Sequence, residues 1–341
     1  VEKIVGISGK AGVLNGSTQE GGNPFEGNRT SEYPLPPLIR SHWNDTFHNI
    51  TTKMGYHPFP IPAGTIGAAF TNPLGINLAP CTYCGYCGFY GCGNWSKSSP
   101  NICVVPALMD RTNFTLLTEC TALYINKADD EKTVTGVTFR DSDGNTGFQP
   151  ADIVCLSAYQ LDNVRLLLLS KIGKAYDHAT GEGTLGRAYN YQTMSMGYLY
   201  YENEYMNPFI STGALSTQID DFNGDNFDHT GLGFLGGAGI QALSDQGTPL
   251  SMTDRLPAGS KMWGSAWKKA FRHSYQNYAK IQGQGTSYSH RDSYLSLDPN
   301  YTDENGQPLL RLTFDYNQND RLMARFIRDR IEDICKVSGA S

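Results

Sequence analysis

Charged residues are scarce in this chain: Asp, Glu, Lys and Arg make up 18% of its 341 residues, against about a quarter in an average soluble protein. The balance is acidic, with 27 Lys and Arg against 33 Asp and Glu and a formal net charge of −6. There is no basic run. Phosphate contacts need clustered Lys and Arg, so a nucleic-acid partner is excluded. Long apolar runs are missing too. The longest aliphatic one, Leu166-Leu167-Leu168-Leu169, is closed at once by Ser170 and Lys171. That is far short of the roughly 20 apolar residues of a bilayer-crossing helix, and no membrane span is expected. Internal repeats and low-complexity tracts are also lacking. What remains is 39% hydrophobic, enough for a sizeable core, at a length that suggests two domains.

Cysteine is plentiful and unevenly placed. Four of the eight, Cys81, Cys84, Cys87 and Cys92, fall in Cys-Thr-Tyr-Cys-Gly-Tyr-Cys-Gly-Phe-Tyr-Gly-Cys-Gly. Each Cys-x-x-Cys step curls the backbone around a common point, so these thiolates can converge on one inorganic centre. The run is close to the ferredoxin spacing Cys-x2-Cys-x2-Cys-x3-Cys-Pro, with a last gap of four residues and Gly93 where the proline stands. Gly85, Gly88, Gly91 and Gly93 let backbone N–H groups approach sulfur. The reading is an iron–sulfur cluster, a three-iron one with three ligands or a cubane with four, and with it electron transfer. Two alternatives stay open at this point. One is a zinc site, which usually separates two Cys-x2-Cys knuckles by a dozen or more residues. The other is a set of strained, reducible disulfides. The remaining Cys103, Cys120, Cys155 and Cys335 sit in apolar contexts and read as buried thiols.

Residues 1–40, rich in Gly, Asn and Pro, read as an extended arm and not as a core element. Residues 41–57 look helical, with Trp43, Phe47 and Ile50 on one face. Thr115 to Ile125, Val134 to Phe139 and Ile153 to Leu156 read as strands, the third short and buried. Leu161 to Ile172 reads as the helix that follows. Met194, Met196, Tyr198 and Tyr200 alternate with Ser195, Gly197 and Leu199, which predicts a two-faced strand. Pro208 to Gln218, Gly231 to Leu243 and Leu309 to Phe314 are further strands. Residues 264–280 read as a helix with Trp267, Phe271, Tyr275 and Tyr278 on one face. The chain closes with an amphipathic helix built on Leu322, Met323, Phe326, Ile327, Ile331 and Ile334, with Asn319 or Asp320 as its cap. The fold class expected is α/β plus α+β, with an antiparallel sheet and helices on one side as the second part.

The run Cys81 to Gly93, continuing Asn94-Trp95-Ser96-Lys97-Ser98-Ser99-Pro100, resembles the cluster segment of the flavoprotein subunits of gluconate 2-dehydrogenase type. These form a branch of the glucose–methanol–choline oxidoreductases. Similar stretches are Ser8 to Gly12, Gly21 to Gly27, Tyr33 to Pro37, Ala151 to Ala158, Arg165 to Ser170 and Leu297 to Asp315. The resemblance implies an FAD-dependent dehydrogenase that oxidises a sugar, polyol or sugar-acid hydroxyl. Its electrons would leave through a cluster, three-iron favoured over four-iron, to a cytochrome c subunit in a complex with a small subunit. It implies that three of Cys81, Cys84, Cys87 and Cys92 ligate iron, their wider spacing favouring Cys81, Cys87 and Cys92, and it implies Ala122 as a backbone contact of the FAD adenine. It also implies a place on the periplasmic side of the bacterial inner membrane, held there by partner subunits. On the family pattern, 1–40 is an FAD-covering arm and 41–104 the cluster segment with its helix. Residues 105–188 are part of the FAD-binding α/β domain, 189–314 the substrate-binding antiparallel-sheet domain, and 315–341 a helix returning to the FAD domain. The strand–Gly-x-Gly-x-x-Gly–helix unit that cradles the FAD pyrophosphate is not found here. No histidine matches the family's catalytic base, so the chain is expected to be a middle portion, with no catalytic residue assigned.

Overall fold

The computed structural model describes residues 1–87, 90–207, 210, 215–244 and 256–340. In chain order its elements are α1 (Glu2–Val5), β1 (Val13–Leu14), β2 (Ser17–Thr18), α2 (His42–Lys53), β3 (Phe59–Pro60), β4 (Phe70–Thr71), β5 (Asn77–Leu78), α3 (Pro100–Cys103), α4 (Val105–Met109), β6 (Thr121–Lys127), β7 (Val134–Arg140), β8 (Thr146–Pro150), α5 (Gln160–Leu169), β9 (Thr193–Tyr200), β10 (Ser216–Ile219), β11 (Ala238–Leu243), α6 (Gly264–Gln276), β12 (Tyr278–Gly285), β13 (Tyr294–Thr302), β14 (Pro308–Thr313) and α7 (Gln318–Val337). They group into two compact units. One contains residues 1–114, 192–286 and 319–341, the other 115–191 and 287–318. No helix among the described residues is long and apolar enough to cross a membrane.

The first unit is organised by an antiparallel sheet in the order β3-β10-β11-β12-β9. Helix α7 lies on one face of it. Met323, Ile327, Ile331 and Ile334 recur at three- and four-residue steps and are all buried, as an apolar stripe at helical period requires. They share a core with Ile219, Ile240, Ala242 and Ile281 of the sheet. The helix comes close because Gly197 and Gly283 offer no side chain: a Cβ on Gly283 would stand 2.3 Å from Cγ2 of Ile327. Helix α2 joins the same core through Trp43, Phe47 and Ile50. The Ser41 hydroxyl caps it by accepting from the Asn44 N–H at 3.3 Å, and the Trp43 indole N–H donates to the Lys280 carbonyl at 3.1 Å.

Residues 1–40 do not behave as an arm alone. Ser8, Ala11, Leu35 and Leu38 are buried. The Ser8 hydroxyl donates to the Thr65 carbonyl at 2.7 Å and accepts from the Gly67 N–H at 2.9 Å. The covering-arm expectation is corrected to that extent: this stretch is stitched into the core next to residues 63–67. The terminal helix is corrected as well. It packs on the five-stranded sheet of the first unit, and Asn319 does not cap it. That side chain instead accepts from the N–H of Leu235 and donates to its carbonyl. The helix read through residue 280 stops at Gln276, and Tyr278 begins β12. Asn277 marks the break, its amide donating to the Glu204 carbonyl at 2.9 Å. Strand β10 begins only at Ser216; residues 208, 209 and 211–214 of the strand expected from Pro208 lie outside the described residues.

The second unit holds the antiparallel meander β6-β7-β8, the hairpin β13-β14 and helix α5. The Arg165 guanidinium of α5 donates to Asp303 at 2.7 Å and to the Pro308 carbonyl at 2.9 Å, joining helix and hairpin. The Gln307 amide donates to the Leu123 carbonyl of β6 at 3.1 Å. The boundary expected between 188 and 189 therefore misplaces 287–318, which folds with 115–191. A second correction concerns residues 153–156. They form no strand, and Ile153 is 80% exposed. A strand exists only through a paired neighbour, and no described strand pairs with this segment. The third strand of the meander is Thr146–Pro150 instead.

Candidate functional site

The cysteine loop is closed at its base by a short segment, residues 64–66. The Cys81 N–H donates to the Ile66 carbonyl at 2.8 Å, the Ile66 N–H to the Ser96 carbonyl at 2.8 Å, and the Ser98 N–H to the Gly64 carbonyl at 2.9 Å. Both legs of the loop are thus tied to one piece of backbone. The Asn94 amide adds a second clasp, donating to the Pro80 carbonyl at 2.7 Å and to the Ser96 hydroxyl at 2.9 Å. Further back, Asn72 is buried at the turn of β4 and β5 with its hydrogen-bonding capacity filled. Its amide donates to the carbonyls of Ile4 and Cys103, and its oxygen accepts from the N–H groups of Leu74 and Ile76.

Within this frame the four thiols line a single cavity of ≈ 50 Å³ together with Thr65, Asn94, Ser96 and Lys97. Cys81, Cys87 and Cys92 are half-buried and Cys84 is exposed. Backbone donors aim at two of the sulfurs: the Tyr83 N–H reaches Cys81 Sγ and the Ser96 N–H reaches Cys92 Sγ, each at 3.3 Å. Burial pushes the Cys92 thiol up. The N–H groups of Ser96, Lys97, Asn94 and Trp95 outweigh it and leave the thiol below its ordinary value, as hydrogen bonds to a charged form do. The Lys97 ammonium donates to the Cys87 carbonyl at 2.9 Å and brings a positive charge to the cavity wall.

Among the described residues no three His, Cys, Asp or Glu side chains converge closely enough to hold one metal ion. A tetrahedral zinc ion, with Zn–S of about 2.3 Å, would draw its sulfurs to about 3.8 Å of one another. A cluster gives each thiolate its own iron and holds the sulfurs farther apart. The four cysteines line one small cavity, and two of their sulfurs receive backbone N–H donors.

The other expected positions are less concentrated. Ala122 lies exposed near the start of β6, opposite Phe139. Cys103 is buried, as expected, but Cys120 and Cys155 are exposed and not buried thiols. Of the histidines, His57 holds Asp221 at 2.7 Å, and His229 bonds the carbonyls of Phe227 and Gly236. Neither lines the cysteine cavity. The role of Asn94 as a clasp and of Lys97 in the wall went unread in the sequence, since neither carries a spacing signal.

Comparison with known proteins adds to this geometry. Residues 63–191 match the GMC oxidoreductase family. The chain is 40% identical over 340 residues to the gluconate 2-dehydrogenase flavoprotein of Pantoea cypripedii, a match covering 98% of this chain and 55% of that protein. It is 25% identical over 216 residues to a 2-methyl-1,2-propanediol dehydrogenase of Mycolicibacterium austroafricanum, covering 60% of this chain and 37% of that one. Among solved structures it is similar in fold to a formate oxidase of Aspergillus oryzae RIB40, solved in work on FAD modification. That likeness has a TM-score of 0.53 at 15% identity, over 89% of this chain and 56% of the oxidase. The chain spans about half the length of the Pantoea protein and of the oxidase. Residues 63–191 thus carry a likeness to the GMC oxidoreductase family, the Pantoea flavoprotein is similar along nearly the whole of this chain, and the formate oxidase shares its fold.

Proposed function

We propose that this chain is part of the flavoprotein subunit of an FAD-dependent dehydrogenase that oxidises a hydroxyl of a sugar, polyol or sugar acid of the gluconate kind. The cysteine loop would hold an iron–sulfur cluster through which electrons leave to a cytochrome c subunit. The observation that carries the reading is the single cavity onto which Cys81, Cys84, Cys87 and Cys92 all face, in a chain 40% identical to a gluconate 2-dehydrogenase flavoprotein. A cluster would accept electrons one at a time from a two-electron flavin, which a haem acceptor needs. Toward that cluster Cys92 presents a thiol favoured in its charged form by backbone N–H groups, and Cys81 a sulfur that accepts from the Tyr83 N–H. Cys87 faces the same cavity beside Lys97. Exposure of Cys84 makes it the member to spare, so a three-iron cluster on Cys81, Cys87 and Cys92 is preferred over a four-iron one.

The FAD contribution rests on the relatives. Among the described residues there is no strand–Gly-x-Gly-x-x-Gly–helix cradle, and Ala122 is the one position that the resemblance assigns to FAD. A small subunit, the cytochrome c partner and the periplasmic face of the inner membrane belong to the same proposal. The test is iron, zinc and acid-labile sulfide analysis with low-temperature EPR on the purified full-length subunit. Three or four irons per chain and a cluster signal are expected. Zinc without iron, or neither metal after anaerobic preparation, would sink the reading.

A further inference from the structure

Helix α7 occupies one face of the five-stranded sheet, against Gly197 and Gly283. Side chains alternate along a strand, so the residues between these point to the opposite face. There the register sets Gln218 of β10 directly opposite Gln241 of β11, Gln241 opposite Gln282 of β12, and Gln282 opposite Met196 of β9. Three amides thus stand side by side on three neighbouring strands, a row about 10 Å long at the usual spacing of paired strands. They are half-buried, and Met194, Met196 and Tyr198 at the sheet edge stay exposed beside them.

We propose that this glutamine row is a hydroxyl-reading subsite for the carbon chain of a polyol or sugar acid, an inference that rests on the dehydrogenase reading above. An amide offers both donor and acceptor, and so does each hydroxyl of a polyol, so the row suits a ligand with several hydroxyls in series. Its members are held by neighbours. The Gln218 amide donates to Asp220 at 2.6 Å, and Asp220 in turn accepts from the Asn23 amide at 2.7 Å. The Ser216 hydroxyl, which donates to the Ala242 carbonyl at 2.6 Å, lies 3.3 Å from the Gln241 side-chain oxygen. Gln218 also lies across Gly239: its Nε2 is 2.5 Å from where a Cβ on that glycine would stand. A bare backbone position therefore lets the amide lie flat on the sheet. The row collects residues 23 and 41 positions apart in sequence, so its alignment is a property of strand pairing and not of a motif.

The experiment uses the full-length holoenzyme with D-gluconate as probe and compares wild type with Gln282→Leu, Gln241→Leu and Gly239→Ala. Removing one amide is expected to raise KM for D-gluconate about 5- to 10-fold, with the melting temperature and flavin spectrum unchanged. The alanine at Gly239, which displaces Gln218 without altering its chemistry, should raise KM in the same direction. Gln282→Asn, which keeps the amide one carbon shorter, should lie between wild type and Gln282→Leu. An active wild type whose KM does not change in folded Gln282→Leu and Gln241→Leu proteins overturns the row and leaves the dehydrogenase reading standing. A wild type that oxidises no sugar, polyol or sugar acid overturns both.

Discussion

Replacing Gly283 by alanine tests how tightly α7 is seated on the sheet. The added Cβ would stand 2.3 Å from Cγ2 of Ile327 and 3.3 Å from Cδ1 of Ile331. Ordinary carbon contacts lie at about 3.5–4.0 Å, so the helix or the strand must give by more than about 1 Å. Ile327 cannot swing away cheaply, because Cγ2 sits on a β-branched carbon whose χ1 is nearly fixed in a helix. Its neighbours Met323, Ile331 and Ile334 are themselves buried. Overpacking of this kind costs about 1–3 kcal/mol. The lower unfolded-state entropy of alanine returns about 0.4–1 kcal/mol of that. A net loss of up to about 2.6 kcal/mol should lower the melting temperature by up to about 10 °C for a unit of this size. The assay is differential scanning calorimetry of wild type, Gly283→Ala and, as control, Gly27→Ala, where nothing lies within 4 Å of the new Cβ. The reasoning is refuted if Gly283→Ala melts with or above the control.

Three further outcomes are expected. Cys92→Ser should abolish the cluster EPR signal and electron delivery to a haem acceptor while substrate still bleaches the flavin, whereas Cys84→Ser should keep the signal. Loss of signal in both would argue for four ligands. Asn72→Ala leaves two carbonyls, that of Cys103 buried, and two N–H groups without their partner and should destabilise the first unit by about 2–4 kcal/mol in urea melts, a change near zero counting against the clasp. At Asp303, burial pushes the carboxyl up, but Arg165 and the N–H groups of Gln307 and Asn305 outweigh it, leaving the value below the ordinary carboxylate range. A lowered folded value contributes stability that is present above about pH 4, the unfolded value, and lost as pH falls through the folded one. Acid unfolding followed by circular dichroism should therefore show a shallower decline below pH 4 for Asp303→Asn than for wild type, and equal slopes would count against the Arg165 pair.

What could be read from the linear order was local. The cysteine spacing declared a shared neighbourhood, because sulfurs so near in sequence cannot lie far apart, and the four do line one cavity. Helices α2 and α7 announced themselves because an apolar stripe at helical period has only one way to be buried. Strand β9 declared two faces by its alternation. Pairing with distant residues decided the rest. Residues 153–156 are apolar enough for a buried strand, but no described strand pairs with them. Helix α6 could have run on through Tyr278, whose spacing suits its face, had the backbone there not joined β11 and β9 as their middle neighbour. The base of the cysteine loop depends on residues 64–66, and the glutamine row on three strands meeting in one register. Hydrogen bonds between strands form wherever the folded backbone brings partners level, and that geometry is written in no single stretch of the chain.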